Sequence, residues 1–295
     1  MAKLISADLT DNKLCILEYT TTDGQILSFD ANAFDADILS HFYVNKGVVI
    51  FKKHITYIGD YAFCACENLT SITIPNGVTN IGGATFEFCK NLRSITIPNS
   101  VTNIEDFAFR GCENLTSITI PNSVTNIGEF TFYRCENLTS ITIPNSVTNI
   151  GKSAFEHCRN LTSITIPNSV TNIGESAFYC CLNLTSITIP DSVTNIGKTT
   201  FYYCENLTSI TIPDGVTNIG WGAFEGCKNL TSVIIGSSVR EIGEEAFHYC
   251  KIDTIVCCPQ VPPKLNDSFG KFKNLIVPTG CEDAYADSDW GQYLE

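Results

Sequence analysis

The sequence predicts a solenoid, a coil of stacked copies built almost entirely from short strands and turns, and three observations carry that prediction. Phe63, Phe86, Phe109, Phe132, Phe155, Phe178, Phe201, Phe224 and Phe247 recur at a fixed 23-residue period. Cys66, Cys89, Cys112, Cys135, Cys158, Cys181, Cys204, Cys227 and Cys250 follow them in the same register. Between these marks almost every copy repeats one stretch, typified by NLTSITIPNSVTNIGESAFYCC from Asn160 to Cys181, just before Asn183 opens the next copy. A constant period of this length is the mark of stacked units. One copy offers rows such as Leu161, Ile164, Ile166, Val170, Ile173, Phe178 and Cys181, too few to offset the entropy of ordering its own backbone. A stack that buries each copy between two neighbours removes that limit.

Residues 1–47 lack the repeat and are expected to form an N-terminal cap. Leu14, Ile16 and Tyr19 precede Asp23–Gly24, and Ile26, Leu27 and Phe29 follow it, which is the pattern of a β-hairpin. Such a cap covers a sheet edge that would otherwise be an aggregation hazard. The array spans residues 48–250 and opens with a worn copy, Val49, Phe51, Ile55, Ile58, Gly59, Phe63 and Cys66.

In the full copies SITI alternates, so Ile72 and Ile74 point inward while Ser71 and Thr73 face solvent. Pro75, Pro98, Pro121, Pro144, Pro167, Pro190 and Pro213 end these strands, because proline lacks the N–H a ladder needs. Asn or Asp followed by Ser or Gly supplies the next turn. VTNIG then brings Val and Ile inward, with a glycine expected at positive φ. Glu105 replaces that glycine once, so one copy is expected to be rearranged there. Ala154 and Ala177 precede the Phe in a turn back to the next strand. Residues 251–295 are read as a degenerate last copy (Ile252, Ile255, Cys257) and a C-terminal cap. Phe269 falls one short of the period, and Val261-Pro262-Pro263, Val277-Pro278, Tyr285 and Trp290 close the stack.

Composition excludes several function classes. Thirty-one acids against 18 bases give a net charge of −13, which opposes nucleic acid and anionic membrane surfaces. No stretch approaches the roughly 20 apolar residues of a spanning helix. The start, MAKLISADLTDN, has no long apolar core of a signal peptide, so the chain is expected to be cytoplasmic unless an export signal was removed. Most of the 15 cysteines form one row of the repeat and read as small buried hydrophobes. Stacked neighbours would stand about 4.8 Å apart, within disulfide range, but their side chains would point the same way. Cys64/Cys66, Cys180/Cys181 and Cys257/Cys258 do not have the spacing of a zinc site, and no metal or cofactor is expected. His41, His54, His157 and His248 share no motif with a nucleophile, and no paired-carboxylate or phosphate-loop motif appears, so an enzyme is not expected.

The pattern LTSITIPxSVTNIGxxAFxxC closely resembles the BspA-like, or Treponema-type, leucine-rich repeats over residues 49–250. EYTTTDGQI before the array and CPQVPPKL, LIVPTGCEDAY and DW after it are similar to the ends of members from gut Bacteroides. The resemblance implies a leucine-rich-repeat solenoid: a right-handed, curved coil with a parallel β-sheet on its concave side. It also implies a surface or secreted protein that adheres to host matrix or other cells.

Two surfaces are candidates for binding. On the face expected to be concave, Ser94, Ser117, Ser140, Ser163 and Ser186 form one row and Thr96, Thr119, Thr142, Thr165 and Thr188 the next. These rows either simply solvate an open strand face or receive a repetitive, extended ligand such as a glycan or an added peptide strand. An ice-binding face has a similar Ser-x-Thr array, but a curved sheet fits ice poorly. The second surface lies in the turns after the Gly and after the Phe, where Phe107, Phe130, Tyr133, Tyr179, Tyr202 and Trp221 mix with Arg110, Arg134 and His157. Aromatics with arginine dominate binding hot spots, although these rings also read as gap-fillers between coils. Asn-Leu-Thr sequons at Asn68, Asn114, Asn137, Asn160, Asn183, Asn206 and Asn229 recur in register, so they are read as corner residues that hydrogen-bond backbone. The function expected is non-catalytic binding of protein or glycan at a cell or matrix surface. The alternative is a cytoplasmic scaffold or self-assembling structural protein.

Overall fold

Each copy forms one coil of a solenoid in the computed structural model, which describes residues 15–294. Ser-Ile-Thr makes the first strand of a coil, and identical residues pair in parallel from coil to coil, as in Ile118↔Ile141 and Ile164↔Ile187. After proline and a turn, Asn-Ile makes a second, two-residue strand that pairs the same way, Asn126↔Asn149 and Asn149↔Asn172. The third side is a run of turns. There Phe132, Phe155 and Phe178 donate their N–H groups to Ala154, Ala177 and Thr200 of the following coil at 2.8–2.9 Å. Every side of a coil is therefore bonded to its neighbours, which is how so little regular strand holds together.

The inward rows form the core. Phe63 to Phe247 stack face to face with centroids 5.1–5.6 Å apart, all fully buried. Phe269 continues the stack on Phe247 at 4.8 Å although it arrives one residue early. The cysteine row lies beside it, and all 15 cysteines are free. Each thiol from Cys89 to Cys250 donates to the carbonyl of a Phe in the preceding coil at 3.0–3.3 Å, for example Cys158 Sγ to Phe132 O and Cys181 Sγ to Phe155 O. The row is thus a set of buried donors as well as small hydrophobes.

Two sequence expectations are corrected here. The glycine of VTNIG does not take positive φ; its need is for space. A Cβ on Gly151 would lie 2.6 Å from the Gly128 carbonyl carbon, and one on Gly174 would lie 2.5 Å from the Lys152 nitrogen. The left-handed residues come later in the turn, two per coil, such as Ser153 and His157 at φ 53° and 61°. Glu105, which replaces the glycine, sits at one of two breaks in the Asn-Ile ladder, between Asn103–Ile104 and Asn126–Ile127; the other, between Asn172–Ile173 and Asn195–Ile196, has its glycine, Gly174, in place, so the break is not particular to Glu105. Its carboxylate accepts from Asn80 and Asn103 Nδ2 at 3.0 and 3.2 Å.

The second correction concerns the N-terminal cap. The chain does bend at Asp23–Gly24, where the Asp23 carboxylate accepts the Gln25 N–H at 3.1 Å, but no strand follows. Leu14 lies outside the described residues. The hairpin is formed instead by β2 (Ile38–Val44) and β3 (Lys46–Phe51), with Asn45 at φ 63° in the turn. β1 (Cys15–Thr21) inserts antiparallel between β3 and the first Ser-Ile-Thr strand, Leu69–Thr73. Val49 and Phe51 therefore belong to an antiparallel cap sheet rather than to a parallel first coil.

Aromatic plugs close the phenylalanine stack at both ends. Phe29 and Phe34 lie 5.1 and 5.9 Å from Phe63. Beyond Cys250 the parallel ladder continues through Thr254–Cys257 and Asn274–Ile276 before a short helix, α1 (Glu282–Ala286). Trp290, fully buried, lies 5.4 Å from Phe269 and donates Nε1–H to Pro263 O at 2.8 Å, while Tyr285 donates to Pro259 O at 2.7 Å. No helix among the described residues is long and apolar enough to cross a membrane.

Candidate binding surfaces

Strand alternation puts Ser94, Thr96, Ser117, Thr119, Ser140, Thr142, Ser163, Thr165, Ser186 and Thr188 on the solvent side of their sheet, and all ten are exposed. Parallel pairing keeps them in line, Ser117↔Ser140 and Thr119↔Thr142 in one ladder, Ser163↔Ser186 and Thr165↔Thr188 in its continuation. None of the ten hydroxyls makes a hydrogen bond to another described residue.

Other hydroxyls of the same repeat do. Thr139, Thr162 and Thr185 Oγ1 donate to the carbonyl of the equivalent threonine one coil earlier at 3.2–3.4 Å. Ser146, Ser169 and Ser192 Oγ donate to Val124, Val147 and Val170 O at 2.5–2.6 Å. The side chains of the sequon asparagines do not bond backbone; Asn91 of the same row, followed by Leu-Arg and so no sequon, does, donating Nδ2–H to Glu67 O at 2.8 Å, while Asn68 donates to the Asp23 carboxylate at 3.0 Å. The remaining sequon asparagines bond one another: Asn137, Asn160, Asn183, Asn206 and Asn229 each donate Nδ2–H to the Asn one coil back at 3.1–3.3 Å. In register at strand spacing, amide meets amide. These rows hold the coils together, whereas the Ser-x-Thr rows leave donors and acceptors open to a ligand.

The outward threonine row changes chemistry at both ends of the sheet. Beyond Thr211 it runs through Ile234, Val256 and Ile276, the first and last exposed at 37% and 53%. Before Thr73 it runs through Glu18, Val48 and Phe42. Ile234 stands one period after Thr211, so this change was readable in the sequence; the cap strands were not, because their order in the sheet differs from their order in the chain.

The aromatic turns form a second surface. Phe107 stacks on Phe130 at 5.1 Å, Phe130 meets Tyr133 edge-on at 5.8 Å, and Tyr133 meets His157 at 5.8 Å. His157 meets Tyr179 at 5.6 Å, Tyr179 stacks on Tyr202 at 4.8 Å, and Tyr202 meets Tyr203 at 4.7 Å. Five of the six predicted aromatics thus join one seam, half-buried along its length. Trp221 stands apart from it, 41% exposed, over an open hollow beside Asn172, Asn195 and Asn218.

Arginines punctuate the seam. The Arg110 guanidinium lies 5.4, 5.6 and 5.4 Å from the Phe88, Phe107 and Tyr133 rings, and Nη1 donates to Glu87 Oε1 at 2.9 Å. Burial, then Arg159 and Arg134, holds His157 below the usual imidazole range. Burial, then the Glu225 carboxylate, pushes Tyr202 up to about 12. Glu87 and Phe88, which complete the Arg110 cage, were missed in the sequence; their signal is their place one coil before Arg110 and Gly111. Among the described residues no group of three or more His, Cys, Asp or Glu side chains could hold a metal ion.

With this geometry in hand, comparisons place the chain among known proteins. The model of the BspA type leucine rich repeat region matches residues 41–158 and 125–253, in six copies. A leucine-rich repeat protein from Bacteroides ovatus is 29% identical with a TM-score of 0.63, over 80% of this chain and 60% of that one. The leucine-rich repeat protein of T. pallidum is 31% identical with a TM-score of 0.50, over 54% of this chain and 77% of that one. A leucine rich cell surface protein from Faecalibacterium prausnitzii is 32% identical with a TM-score of 0.49, over 78% and 65%. The chain thus spans less than two thirds of the Bacteroides and Faecalibacterium proteins. No protein of curated function shows a significant match. A matching repeat model over most of the sequence, on a solenoid whose rows carry that repeat, means that the chain belongs to the BspA-type leucine-rich repeat family.

Proposed function

We propose that this protein is a non-catalytic binding module of the adhesin type, working at a bacterial cell surface or in secreted form, whose ligand lies along the Ser-x-Thr face. The observation that carries the reading is the contrast between hydroxyl rows. Those at the coil corners are used up in coil-to-coil bonds, while Ser117/Thr119, Ser140/Thr142 and Ser163/Thr165 present unbonded donors and acceptors at a regular spacing. An uncharged face repeating about every 4.8 Å suits an extended protein segment or a glycan, and the apolar row Ile234–Val256–Ile276 offers such a ligand an anchor at one end. Membership of the BspA-type family supports the surface setting.

The test is binding of the purified chain to a panel of matrix proteins and glycans beside a Thr119→Lys/Thr142→Lys/Thr165→Lys variant with an unchanged circular-dichroism spectrum. Loss of binding in the variant is expected. Binding that survives would overturn the Ser-x-Thr assignment and move the site to the seam around Arg110, Tyr133 and Tyr179. No binding to any member would favour the second reading, a scaffold or self-assembling protein, which 15 free thiols also suit.

A further inference from the structure

The Asn-Ile side of the solenoid parts between the coils of Asn172 and Asn195. Gly174 and Gly220 each donate N–H to an isoleucine carbonyl of the coil before, Ile150 O and Ile196 O, at 2.8 Å, but Gly197 makes no such bond to Ile173. The spacing is wider there too. A Cβ on Gly197 would meet its nearest backbone atoms, in Glu175, at 3.4 Å, against 2.5 Å at Gly174 and 2.8 Å at Gly220. The asparagine ladder breaks at the same place. Asn172 Nδ2 donates to Asn149 Oδ1, and Asn218 Nδ2 to Asn195 Oδ1, which leaves Asn172 Oδ1 and Asn195 Nδ2 without a partner among the described residues. Both amides line a hollow of about 490 Å³ that also takes in Gly174, Gly197, Gly220 and the ring of Trp221. That volume falls in the roughly 300–1,000 Å³ range of small-molecule sites. The three glycines are partly exposed, whereas Gly82, Gly128 and Gly151 of the same row are buried, so the backbone floor opens in this part of the row.

We infer that this hollow is a site for one neutral pyranose unit of a glycan, with the sugar's apolar C–H face on Trp221 and two neighbouring hydroxyls on the asparagines. The face of an indole carries negative potential and attracts C–H groups laid over it. A hydroxyl both donates and accepts, so one of an adjacent pair can give its proton to Asn172 Oδ1 while the other accepts from Asn195 Nδ2. A wholly apolar ligand would cover these two amide groups and leave them unpaired. A quaternary ammonium calls for a cage of rings, and Trp221 is the one aromatic that lines the hollow. The charged residues of the lining, Glu175, Glu241 and Lys198, sum to one negative charge, which disfavours an anionic sugar. The hollow at the other break is lined by Asp60, Glu105 and Asp106 without a tryptophan, and does not share this chemistry. The site lies on a different side of the coil from the Ser-x-Thr rows and does not rest on that reading.

Titration of the full chain with the methyl glycosides of glucose, galactose, mannose and N-acetylglucosamine tests it, followed by tryptophan emission. Of the two tryptophans Trp290 is fully buried, so a change in emission reports Trp221. Saturable binding of at least one glycoside is expected, with a Kd on the order of 1 mM for a single sugar in an open hollow. By ligand-observed NMR, which needs no tryptophan, Trp221→Ala is expected to weaken that binding at least about tenfold. Asn195→Asp keeps the acceptor for Asn218 and removes the open donor, and is expected to weaken it by a similar factor. The Thr119→Lys/Thr142→Lys/Thr165→Lys variant is expected to bind the sugar as the parent chain does, which separates this site from the Ser-x-Thr face. No saturable change with any of the four up to about 50 mM would overturn the assignment, as would a Trp221→Ala chain that binds as before. Should Asn195→Asp fail to fold, the exposed Trp221→Ala substitution decides alone.

Discussion

Thr162 and Thr165 are the same residue type, three positions apart in the same copy, and both are exposed. Thr162 Oγ1 donates to Thr139 O of the preceding coil, and its own carbonyl accepts from Thr185 Oγ1. The Thr165 hydroxyl has no bond to another described residue, although its backbone pairs with Thr142 and Thr188. Invariance within a repeat therefore has two causes that look alike in the sequence. One row recurs because each coil needs it to hold the next. The other recurs although the coil does not use its hydroxyl, and it is on this second kind of row that the proposed binding face is built.

The comparison extends inward to the cysteine row, which belongs wholly to the first kind. Burial pushes the thiols of Cys112, Cys135, Cys158, Cys181 and Cys204 far above the usual thiol range. In the folded chain they keep their protons above pH 9, where the unfolded chain loses them. Stability from this row is therefore complete below about pH 9 and falls as pH rises, by roughly 1.4 kcal/mol per pH unit for each such thiol. Denaturation midpoints between pH 8 and pH 11 are expected to drop steeply, and Cys158→Ala should flatten the slope. A midpoint independent of pH in that range would mean the row is not buried as a unit.

A smaller effect separates the core from the face. Phe155→Ala removes one ring from the middle of the stack, between Phe132 and Phe178. It is expected to cost about 3–5 kcal/mol and to split thermal unfolding into two transitions. One unshifted transition would contradict the stacked-ring account. Smallest, and most direct, is the threonine pair itself. Thr162→Val should cost about 1 kcal/mol through its lost bond. Thr165→Val should stay within about 0.5 kcal/mol, as exposed substitutions do. Equal costs in chemical denaturation would erase the distinction on which the binding face rests.

Much of this was legible before any coordinates. The phenylalanine period fixes the coil, and alternation in SITI fixes which side of the strand is wet. What the sequence did not disclose depends on distances between coils. Nothing in VTNIG says that Gly151 is needed for the approach of Gly128 rather than for a left-handed turn. The asparagine row was read as bonding backbone because one copy, considered alone, offers no neighbouring amide. Asp23–Gly24 was read as the hairpin turn, yet the strand order β2-β3-β1 brings Leu17 opposite Val49 and Tyr19 opposite Ile72, pairings that are non-local. The aromatic seam was legible residue by residue but not as a connected path, and Trp221 shows that sharing a variable position does not mean sharing a contact.

The end plugs have a consequence for how such a chain changes over generations. Phe29 and Phe34 at one end contact Phe63, and Trp290 at the other contacts Phe269, which continues the column of repeat phenylalanines by stacking on Phe247. A duplication or deletion of one whole copy restores the same ring, thiol and amide partners at the splice, and leaves both plugs seated. Length is then a nearly neutral variable, changing by whole coils in steps of about 4.8 Å. The molecule is a ruler with fixed ends, whose number of divisions can change without disturbing either end.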